Sequence, residues 1–426
     1  MGRASDLFYN SMAIDDRAEA KTITPTSTSY TDNFADIIVT PLYFYQSVPV
    51  TTNLGTLVKY LQFIRSEVLD NAHLVTRGGA LDNDSYLWTW GDNAKGQLGN
   101  NSTTFSSVPV SVIGNRKFNQ VVSNHHEGAS YFDAVAALDN DGQAWTWGYN
   151  TNGNLGDNTV TDRSSPVSVV GAYQFVTISA NSSNFSALDM SGFAWTWGSD
   201  NSGSLGDNSS GSHSSPVSVV GGINFLAIDG AVAIDTNNNC WAWGLNTNGQ
   251  LGNSSTTTTS SPVAMVGAPG SNGNTVAVAS YNQGGDSSHT LTLDSDGYCN
   301  AVGQNNLGQL GDNTTTDRSS PISVIGGKKF TQIAAGNGIS FGLDNAGILW
   351  TWGNTKDGVS RSSPVSVRQG TRKFAQMQYR DNTIVATDMD GNIWVWGTIP
   401  WISGGGTVSS NPLLLPGGLY GQVKKY

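Results

Sequence analysis

Few side chains in this sequence are of the types that carry catalysis or bind metals. The 426 residues include five histidines, and none of them recurs at an equivalent position of the repeat described below. One segment, His125-His126-Glu127, places two imidazoles beside a carboxylate. Neighbouring residues on an extended chain point to opposite sides, so these two rings would not converge on one ion. We interpret the segment as part of a loop and predict no metal there.

Carboxylates also recur in short Asp-led segments, of which Asp139-Asn140-Asp141-Gly142 is the fullest. Closely spaced acidic side chains before a glycine are found in calcium-binding loops. They also suit a tight hairpin, because Asp and Asn accept hydrogen bonds from the nearby backbone and Gly adopts positive φ. The hairpin interpretation explains all seven copies without a metal ion. The copies begin at Asp82, Asp139, Asp189, Asp235, Asp294, Asp344 and Asp388.

Other patterns of catalysis and cofactor binding are missing from the sequence. Enzymes gather acids, bases or metal ligands at one site, whereas the histidines here do not recur in a pattern that would bring them together. The sequence also has no glycine loop with a following lysine of the kind that binds phosphate. We therefore predict that the protein is not an enzyme and has no catalytic residues and no cofactor.

The element that positions these residues is a repeated unit marked by paired tryptophans. Twelve of the 13 tryptophans lie in the phrase Trp-x-Trp-Gly, as in Trp145-Thr146-Trp147-Gly148, and a degraded copy reads Cys299-Asn300-Ala301-Val302-Gly303. The closing glycines recur every 44 to 59 residues, a period typical of propeller blades. The chain is therefore predicted to contain seven similar units. The six complete copies end at Gly91, Gly148, Gly198, Gly244, Gly353 and Gly397.

Each unit follows one order of short segments, which predicts four β-strands. The Asp-led turn precedes the Trp-x-Trp strand, in which large and small residues alternate as on a pleated strand. A Gly-x-Leu-Gly segment and a Ser-rich stretch follow, and we expect a proline to open the next strand because proline cannot donate to the ladder. A short apolar strand such as Phe175-Val176-Thr177-Ile178 ends the unit. The prolines are Pro109, Pro166, Pro216, Pro262, Pro321, Pro364 and Pro412.

The order Leu-Asp-x-x-Gly, Trp-x-Trp-Gly, Gly-x-Leu-Gly, Ser-Ser-Pro-Val resembles the repeat of the regulator-of-chromosome-condensation family. The resemblance covers residues 73–426 and implies an all-β, seven-bladed β-propeller of four-stranded blades. Repeat five lacks both tryptophans, and the last two repeats lack Gly-x-Leu-Gly. A charged fraction of 12 % and the absence of helical periodicity in the array agree with an all-β body.

The two ends of the array are predicted to close the ring together. Residues 74–81 look like a first strand with no predecessor, and residues 419–423 look like a last strand with no successor. We expect these N- and C-terminal strands to meet in one composite blade. Cys240 and Cys299 occupy equivalent positions in neighbouring units, which are too far apart for a disulfide, so both are predicted to be packed thiols.

Residues 1–72 lack the repeat and are predicted to form an N-terminal arm. Apolar residues at intervals of three and four predict one amphipathic helix over residues 54–70. Two roles stay open for this helix: it covers one face of the propeller, or it anchors the propeller to a larger assembly. The first 33 residues are polar, so a partner would be needed to order them. The candidate anchoring face consists of Leu57, Leu61, Ile64 and Val68.

Charge and hydropathy narrow the classes of partner. Lys and Arg number 21 against 32 acidic residues, a formal net charge of −11, so phosphate backbones would repel the chain as a whole. No apolar run has the length of a membrane span, and the N-terminus lacks the features of a signal peptide. We expect no nucleic acid partner, no membrane insertion, and synthesis and folding in the cytosol.

Variation in repeat length predicts where a partner binds. The two longest spacings come from insertions between blades, at about residues 123–133 and 268–288. Binding residues are often carried by loops on a rigid scaffold, so this rim is the predicted binding surface. The alternative is that the loop lengths have no function. The candidate rim residues are His125, His126, Tyr131, Phe132, Tyr281 and Trp401.

Three functions stay open from the sequence. The leading hypothesis is a bacteriophage virion structural protein, in capsid decoration or in the tail and host recognition. The arm would bind other particle proteins, and the propeller rim would bind a host-surface protein or glycan. This hypothesis rests on a surface rich in Asn, Ser, Thr and Gly without a secretion signal. The alternatives are a cytoplasmic binding or inhibitor module resembling β-lactamase-inhibiting propellers, and a guanine-nucleotide exchange factor for a small GTPase.

Overall fold

The structure is a computed structural model that describes residues 79–81, 84–124, 134–267, 274–281, 288–355, 359–367, 370–380, 383–389, 393–399 and 407–414. The chain divides into two compact units, Met1–Leu69 and Asp70–Tyr426. The predicted arm over residues 1–72, its helix over residues 54–70 and its apolar face all lie outside the described residues. They stay predictions. No helix in the described part is long and apolar enough to cross a membrane.

The described part of the second unit contains 27 antiparallel strands in seven sheets and no helix, which confirms the all-β, seven-bladed prediction. The first described sheet has three strands and the other six have four, and in each the strands lie in chain order. The blades are β1 Gly79–Leu81, β2 Leu87–Gly91, β3 Ser106–Ser111; β4 Phe118–Ser123, β5 Ala134–Asp139, β6 Ala144–Gly148, β7 Arg163–Ser168; β8 Phe175–Ala180, β9 Asn184–Asp189, β10 Ala194–Gly198, β11 His213–Ser218; β12 Phe225–Asp229, β13 Val232–Asp235, β14 Cys240–Gly244, β15 Thr259–Ala264; β16 Thr275–Tyr281, β17 His289–Asp294, β18 Cys299–Gly303, β19 Arg318–Ser323; β20 Phe330–Gly336, β21 Ile339–Asp344, β22 Leu349–Asn354, β23 Ser360–Ser366; β24 Phe374–Arg380, β25 Thr383–Asp388, β26 Ile393–Ile399, β27 Thr407–Leu414.

The short apolar strand opens a blade and does not close one. β8 pairs with β9, so Phe175 lies opposite Asp189 and Ala180 opposite Phe185. The grouping predicted from the sequence, with this strand at the end of the preceding unit, is therefore wrong. The physical reason is proximity along the chain, because a short connection keeps β8 beside β9 whereas residues 169–174 carry the chain from one sheet to the next.

The proline of each repeat lies inside the last strand of the blade and not at its start. In β7 it is Pro166, three residues after the strand begins at Arg163. The pairing register between β6 and β7 shifts between Thr146 and Gly148, which marks a bulge opposite this stretch. β7 is also the edge strand of its sheet. Proline has no N–H to donate, and such a residue is tolerated at edge strands and bulges. The predicted position at the start of the strand was therefore wrong, but the lack of an N–H still explains where the proline lies.

The second tryptophan of a pair, whose side chain is described in five of the six pairs, fills the space between neighbouring blades. Trp197 is completely buried, and its ring centroid lies 6.0 Å from those of Phe175 and Phe185. Its indole nitrogen donates a hydrogen bond of 3.1 Å to the carbonyl of Asn154 in the preceding blade. Trp147 and Trp243 make the same bond to the preceding blade. Apolar burial and a hydrogen bond therefore hold adjacent blades together at the same point.

The first tryptophan is only partly buried in five of the six pairs, whereas Trp394 in the seventh blade is buried. The Trp195 indole nitrogen donates to the carboxylate of Asp189 at 2.9 Å, and its ring lies 4.1 Å from that of Tyr173. Trp195 stands at the end of β10 beside the Asp-led turn, whereas Trp197 lies one pleat further into the blade. One side of the Trp195 ring therefore reaches solvent.

The composite blade predicted for ring closure is described in part. β1, β2 and β3 occupy the positions that the second, third and fourth strands hold in the other blades. The C-terminal strand predicted over residues 419–423 lies outside the described residues. Closure of the ring by that strand stays a prediction.

Both cysteines are buried free thiols, as predicted. Burial raises the pKa of Cys240 to about 12, and the nearby Asp235 carboxylate adds to the effect. Burial and Asp294 raise the pKa of Cys299 as well. A thiol is nucleophilic as its thiolate, and almost none is present at pH 8 with such pKa values.

We therefore expect the folded protein to give no reaction with a disulfide reagent such as DTNB at pH 8. After denaturation the same reagent should titrate two thiols per chain. Rapid labelling of either cysteine in the folded protein would contradict the burial of these side chains. A melting curve recorded on the same sample shows whether the protein was folded.

Candidate protein-binding face

The connections between strands alternate between the two ends of each blade, because consecutive strands run antiparallel. We call the end with the first-to-second and third-to-fourth connections the loop face, and the other end the Asp-turn face. β4 ends at Ser123 and β5 begins at Ala134, so the first predicted insertion lies within a blade and not between blades. The second insertion, predicted over residues 268–288, contains strand β16 Thr275–Tyr281 and is therefore not one loop.

A buried asparagine organises the third-to-fourth connection of four blades on the loop face. In the second blade, Asn150 is completely buried, and its carbonyl oxygen accepts a hydrogen bond of 2.9 Å from the Leu155 N–H. Its amide nitrogen donates to the Asp157 carboxylate at 3.1 Å and to the main-chain carbonyls of Thr159 and Thr161 at 3.2 and 3.1 Å. The Asn150 side chain thus pairs with polar groups along the length of the loop. The equivalents are Asn93, Asn246 and Asn305.

These loops also dock on the following blade. The N–H of Asn158 donates to the carbonyl of Ser214 at 2.7 Å, and Asn208 makes the same bond to Ser260 at 2.8 Å. Gly153 allows the close approach, since a Cβ on it would lie 2.5 Å from the Cα of Ser214. The loop face is therefore a continuous surface in which each blade fixes its neighbour.

Arg163 adds a charged contact to the loop of the second blade. Its guanidinium lies 2.8 Å from the Asp157 carboxylate. Burial alone raises the pKa of Asp157, but hydrogen bonds from Thr159, Arg163 and Asn150 outweigh burial and lower the pKa below its ordinary value. A carboxylate with a lowered pKa stabilises the fold at neutral pH and loses that contribution as the pH falls below the ordinary aspartate pKa. Arg318 and Asp312 form the same pair in the fifth blade.

Asp229 connects three blades at the loop-face end of their first strands. Its carboxylate accepts a hydrogen bond of 2.9 Å from the Ser179 hydroxyl of the third blade and one of 2.9 Å from the Ser280 N–H of the fifth. Its main-chain carbonyl accepts from the Ser280 hydroxyl at 3.0 Å. Asp229 thus stabilises the packing of three blades, and its hydrogen bonds explain why a charged residue lies at this half-buried position.

On the Asp-turn face, the carboxylates of the turns are occupied by hydrogen bonds. One oxygen of Asp139 accepts from the N–H groups of Asp141 and Gln143 at 3.0 and 2.9 Å, and the other accepts from the Trp145 indole at 2.8 Å. The turns at Asp189, Asp235 and Asp344 repeat this pattern. The geometry supports the hairpin interpretation of the Asp-led segments and gives the first tryptophan its role.

Cations stack on the first tryptophans at this end of the blades. The Arg116 guanidinium lies 3.3 Å from the Trp145 ring centroid, and the Lys328 ammonium lies 4.1 Å from that of Trp350. These cations come from the connections between blades, which carry a pair of basic residues before the first strand in three places. The pairs are Arg116 and Lys117, Lys328 and Lys329, and Arg372 and Lys373.

Exposed apolar side chains concentrate on the Asp-turn face. Ten large apolar residues are exposed in the described part of the chain, and three of them, Phe105, Val160 and Val359, lie in loop-face connections. The other seven follow Asp-led turns or lie in connections between blades. They are Ile113, Met190, Phe193, Val266, Tyr298, Ile325 and Met389.

Comparison with known families identifies the repeat. The model of the regulator of chromosome condensation (RCC1) repeat matches residues 84–125, 141–187, 237–282 and 296–343. Three of the matched ranges contain a Trp-x-Trp strand, and the fourth contains the degraded copy that ends at Gly303. The chain carries RCC1 repeats.

One RCC1 domain-containing protein shares a short stretch of sequence with this chain, and two solved structures share its fold. The mitochondrial RCC1 domain-containing protein RUG3 of Arabidopsis thaliana is 35 % identical over 71 residues, which are 16 % of this chain and 16 % of that protein. Human WBSCR16 has a TM-score of 0.65 at 17 % identity, covering 77 % of this chain and 93 % of its own. Prp20p of Saccharomyces cerevisiae, whose crystal structure was reported with its binding to Gsp1p and histones, has a TM-score of 0.58 at 20 % identity, covering 70 % and 78 %.

The candidate residues predicted from the RCC1 repeat spacing are described only in part. Tyr281 ends β16 at the loop face, half-buried and opposite His289. The geometry places Tyr281 on the predicted rim but brings no second rim residue to it among those described. The other five, His125, His126, Tyr131, Phe132 and Trp401, lie outside the described residues.

Sequence reasoning missed the apolar and basic residues of the Asp-turn face. A signal for them exists in the RCC1 repeat, because the fourth residue after the turn aspartate is Phe193 in one unit and Tyr298 in another. The basic pairs likewise recur immediately before the phenylalanine that opens a blade. The connections on this face have nearly uniform lengths, so loop length did not indicate that a partner binds there.

The described residues include one close Ser–His pair, and its burial gives it a structural role. The Ser340 hydroxyl donates to the carbonyl of Gln309 at 2.7 Å and lies 2.7 Å from the His289 Nε2. Both side chains are completely buried, so a substrate in solution cannot reach them. Within the described part of the chain, no three or more His, Cys, Asp or Glu side chains are grouped to hold a metal ion.

Proposed function

We propose that this RCC1-repeat propeller is a non-enzymatic protein-interaction module that binds its partner mainly through the Asp-turn face. The observation that carries the proposal is the concentration there of seven of the ten exposed large apolar side chains of the described part. Exposed apolar side chains that recur on one face are typical of association surfaces. Met190, Phe193 and Tyr298 are each more than two fifths exposed.

The charge of the same face suggests what kind of partner it binds. Six of the 21 lysines and arginines lie in three connections of this face, on a chain whose formal net charge is −11. Basic groups on an otherwise acidic protein favour a partner with a complementary acidic surface. The turn carboxylates, such as Asp139, Asp189 and Asp235, lie on the same face, so the proposed partner presents acidic groups opposite the three basic pairs and not over its whole surface.

A matched pair of phenylalanines tests the proposal. Phe193 lies on the Asp-turn face and Phe105 on the loop face, and they are 41 % and 63 % exposed. Each is replaced, in separate full-length proteins, with the photo-cross-linking residue p-benzoylphenylalanine. We expect cross-links to the partner from position 193 and none from position 105 when each protein is irradiated in its native source. Cross-links confined to position 105 would place the interface on the loop face, and none from either position would also contradict the proposal.

The exchange-factor hypothesis is a second candidate, favoured by the structural similarity to Prp20p, whose reported study concerns binding to Gsp1p. Its test is the release of a fluorescent guanine nucleotide from purified small GTPases on addition of the full chain. An acceleration that is lost when Met190 and Phe193 are both replaced with serine would join the two proposals. Unchanged release across a panel of GTPases would reject exchange activity and leave the binding proposal intact.

The inhibitor hypothesis and the virion hypothesis each need a separate assay. The inhibitor hypothesis is tested by measuring β-lactamase activity in the presence of the chain. Virion anchoring depends on the predicted face of Leu57, Leu61, Ile64 and Val68, which lies outside the described residues. Mass spectrometry of purified particles tests that hypothesis, and virion localisation with it.

A further inference from the structure

The third-to-fourth connection of the third blade has the backbone of its sister loops but a different central residue. Asp200 occupies the position that asparagine holds in the first, second, fourth and fifth blades. The loop between β10 and β11, residues 199–212, has the same length as the loop between β6 and β7, residues 149–162. Gly203 and Gly206 have φ values of 77° and 69°, against 78° and 63° for Gly153 and Gly156. The carbonyls of this loop therefore converge as they do in the second blade.

The exchange of Asn for Asp replaces a hydrogen-bond donor with an acceptor at the centre of the loop. One Asp200 oxygen keeps the contact with the Leu205 N–H, at 3.2 Å. The other oxygen takes the place of the asparagine amide nitrogen, which in the sister loops donates to three oxygens. By the same spacing along the chain, those oxygens correspond in this loop to the Asp207 carboxylate and to the carbonyls of Ser209 and Gly211. Asp200 is 9 % exposed, and its Oδ2 is buried without a hydrogen-bond partner among the described residues.

The balance of charge also differs from that of the sister loops. In the second blade, neutral Asn150 faces Asp157, whose charge Arg163 compensates at 2.8 Å. In the fourth blade, Asn246 donates to Asn253, and both side chains are neutral. The third blade has two carboxylates, Asp200 and Asp207. Asp207 lies 2.9 Å from the His213 Nε2 and accepts hydrogen bonds of 3.0 Å from the N–H and from the hydroxyl of Ser209. This loop has His213 at the position where the second and fifth blades have Arg163 and Arg318.

We propose that this loop binds a calcium ion between the Asp200 Oδ2, the Asp207 carboxylate and the main-chain carbonyls of Ser209 and Gly211. Calcium prefers an all-oxygen set of carboxylates and carbonyls, and its double charge matches the two carboxylates. The site consists of two acidic side chains and two main-chain carbonyls. It is therefore compatible with the absence, among the described residues, of three grouped His, Cys, Asp or Glu side chains.

The same loop also contacts the next blade. The Asn208 N–H of the same loop donates to the carbonyl of Ser260 in the fourth blade at 2.8 Å. Calcium would therefore stabilise the contact between the third and fourth blades as well as the loop.

The test is the melting temperature of the full chain after chelation, measured with and without added calcium. A ligand that binds only the folded state raises the melting temperature, here by several degrees at calcium well above its dissociation constant. Calorimetric titration should give one calcium per chain. The variant Asp200→Asn restores the amide of the sister loops, so it should fold normally and show no calcium-dependent shift. Asp141→Asn, which changes an exposed acid of an Asp-led turn, should keep the full response.

Two results would overturn the proposal. One is a calcium response of equal size in the wild type and in Asp200→Asn, which would place the ion elsewhere. The other is a melting temperature that does not respond to calcium. If the wild type then gains stability relative to Asp200→Asn as the pH is lowered to 5, a proton and not a metal ion neutralises the carboxylates.

Discussion

Replacing Trp197 with alanine is expected to lower the free energy of unfolding by about 3 to 5 kcal/mol. The side chain is completely buried between two blades, with Phe175 and Phe185 on its ring. Alanine removes this apolar contact, leaves a cavity that rigid strands cannot fill, and leaves the Asn154 carbonyl without its indole donor. Denaturant unfolding followed by circular dichroism measures the loss.

Trp195→Ala in the same strand is the control. Its ring is partly exposed, and its indole donates to Asp189 within its own blade. We expect a loss clearly smaller than that of Trp197→Ala, because less apolar surface is buried and water can enter the space. Equal losses would mean that the two tryptophans of a pair are equally part of the contact between blades.

Replacing Gly153 with alanine is expected to destabilise the protein by roughly 2 to 5 kcal/mol. Gly153 has a φ of +78°, which costs any residue with a Cβ conformational energy. The added Cβ would also lie 2.5 Å from the Cα and 2.8 Å from the N of Ser214 in the next blade. Both contacts are with backbone, so a side-chain rotation cannot relieve them and the blades must separate. A chemical denaturation curve gives the size of the effect.

Gly222→Ala separates the two causes. Gly222 has a φ of +62°, and nothing lies within 4 Å of an added Cβ. It should therefore show the conformational cost without the clash, and lose less stability than Gly153→Ala. If the two variants melted at the same temperature, the close approach of the loop to the next blade would not contribute to stability.

Periodic features of the fold were open to prediction because each repeat presents the same local chemistry. The Asp-led turns form the hairpins expected of them, since Asp139 bonds to the backbone within four residues along the chain. The number of blades followed from the spacing of Trp-x-Trp-Gly. The grouping of strands into blades did not, because a strand such as β8 lies between two possible partners along the chain and only pairing distinguishes them.

The residues of the candidate site were likewise only partly open to prediction from the sequence. Tyr281, chosen from loop length, stays a prediction, whereas the exposed Met190 and Phe193 were missed because exposure depends on which neighbours cover a side chain. The importance of Asp200 became visible only beside Asn150, whose amide bonds show what an aspartate at that position lacks.

The sequence by itself determined that this protein is a seven-unit, all-β array with RCC1-type repeats, because turn chemistry and strand alternation act over a few residues and are written in each copy. The tertiary structure decided which strands share a blade, which tryptophans are buried, and which end of the blades exposes apolar and basic side chains. Those properties depend on contacts between residues such as Trp197 and Asn154, which are far apart along the chain. Local residue patterns do not record such contacts.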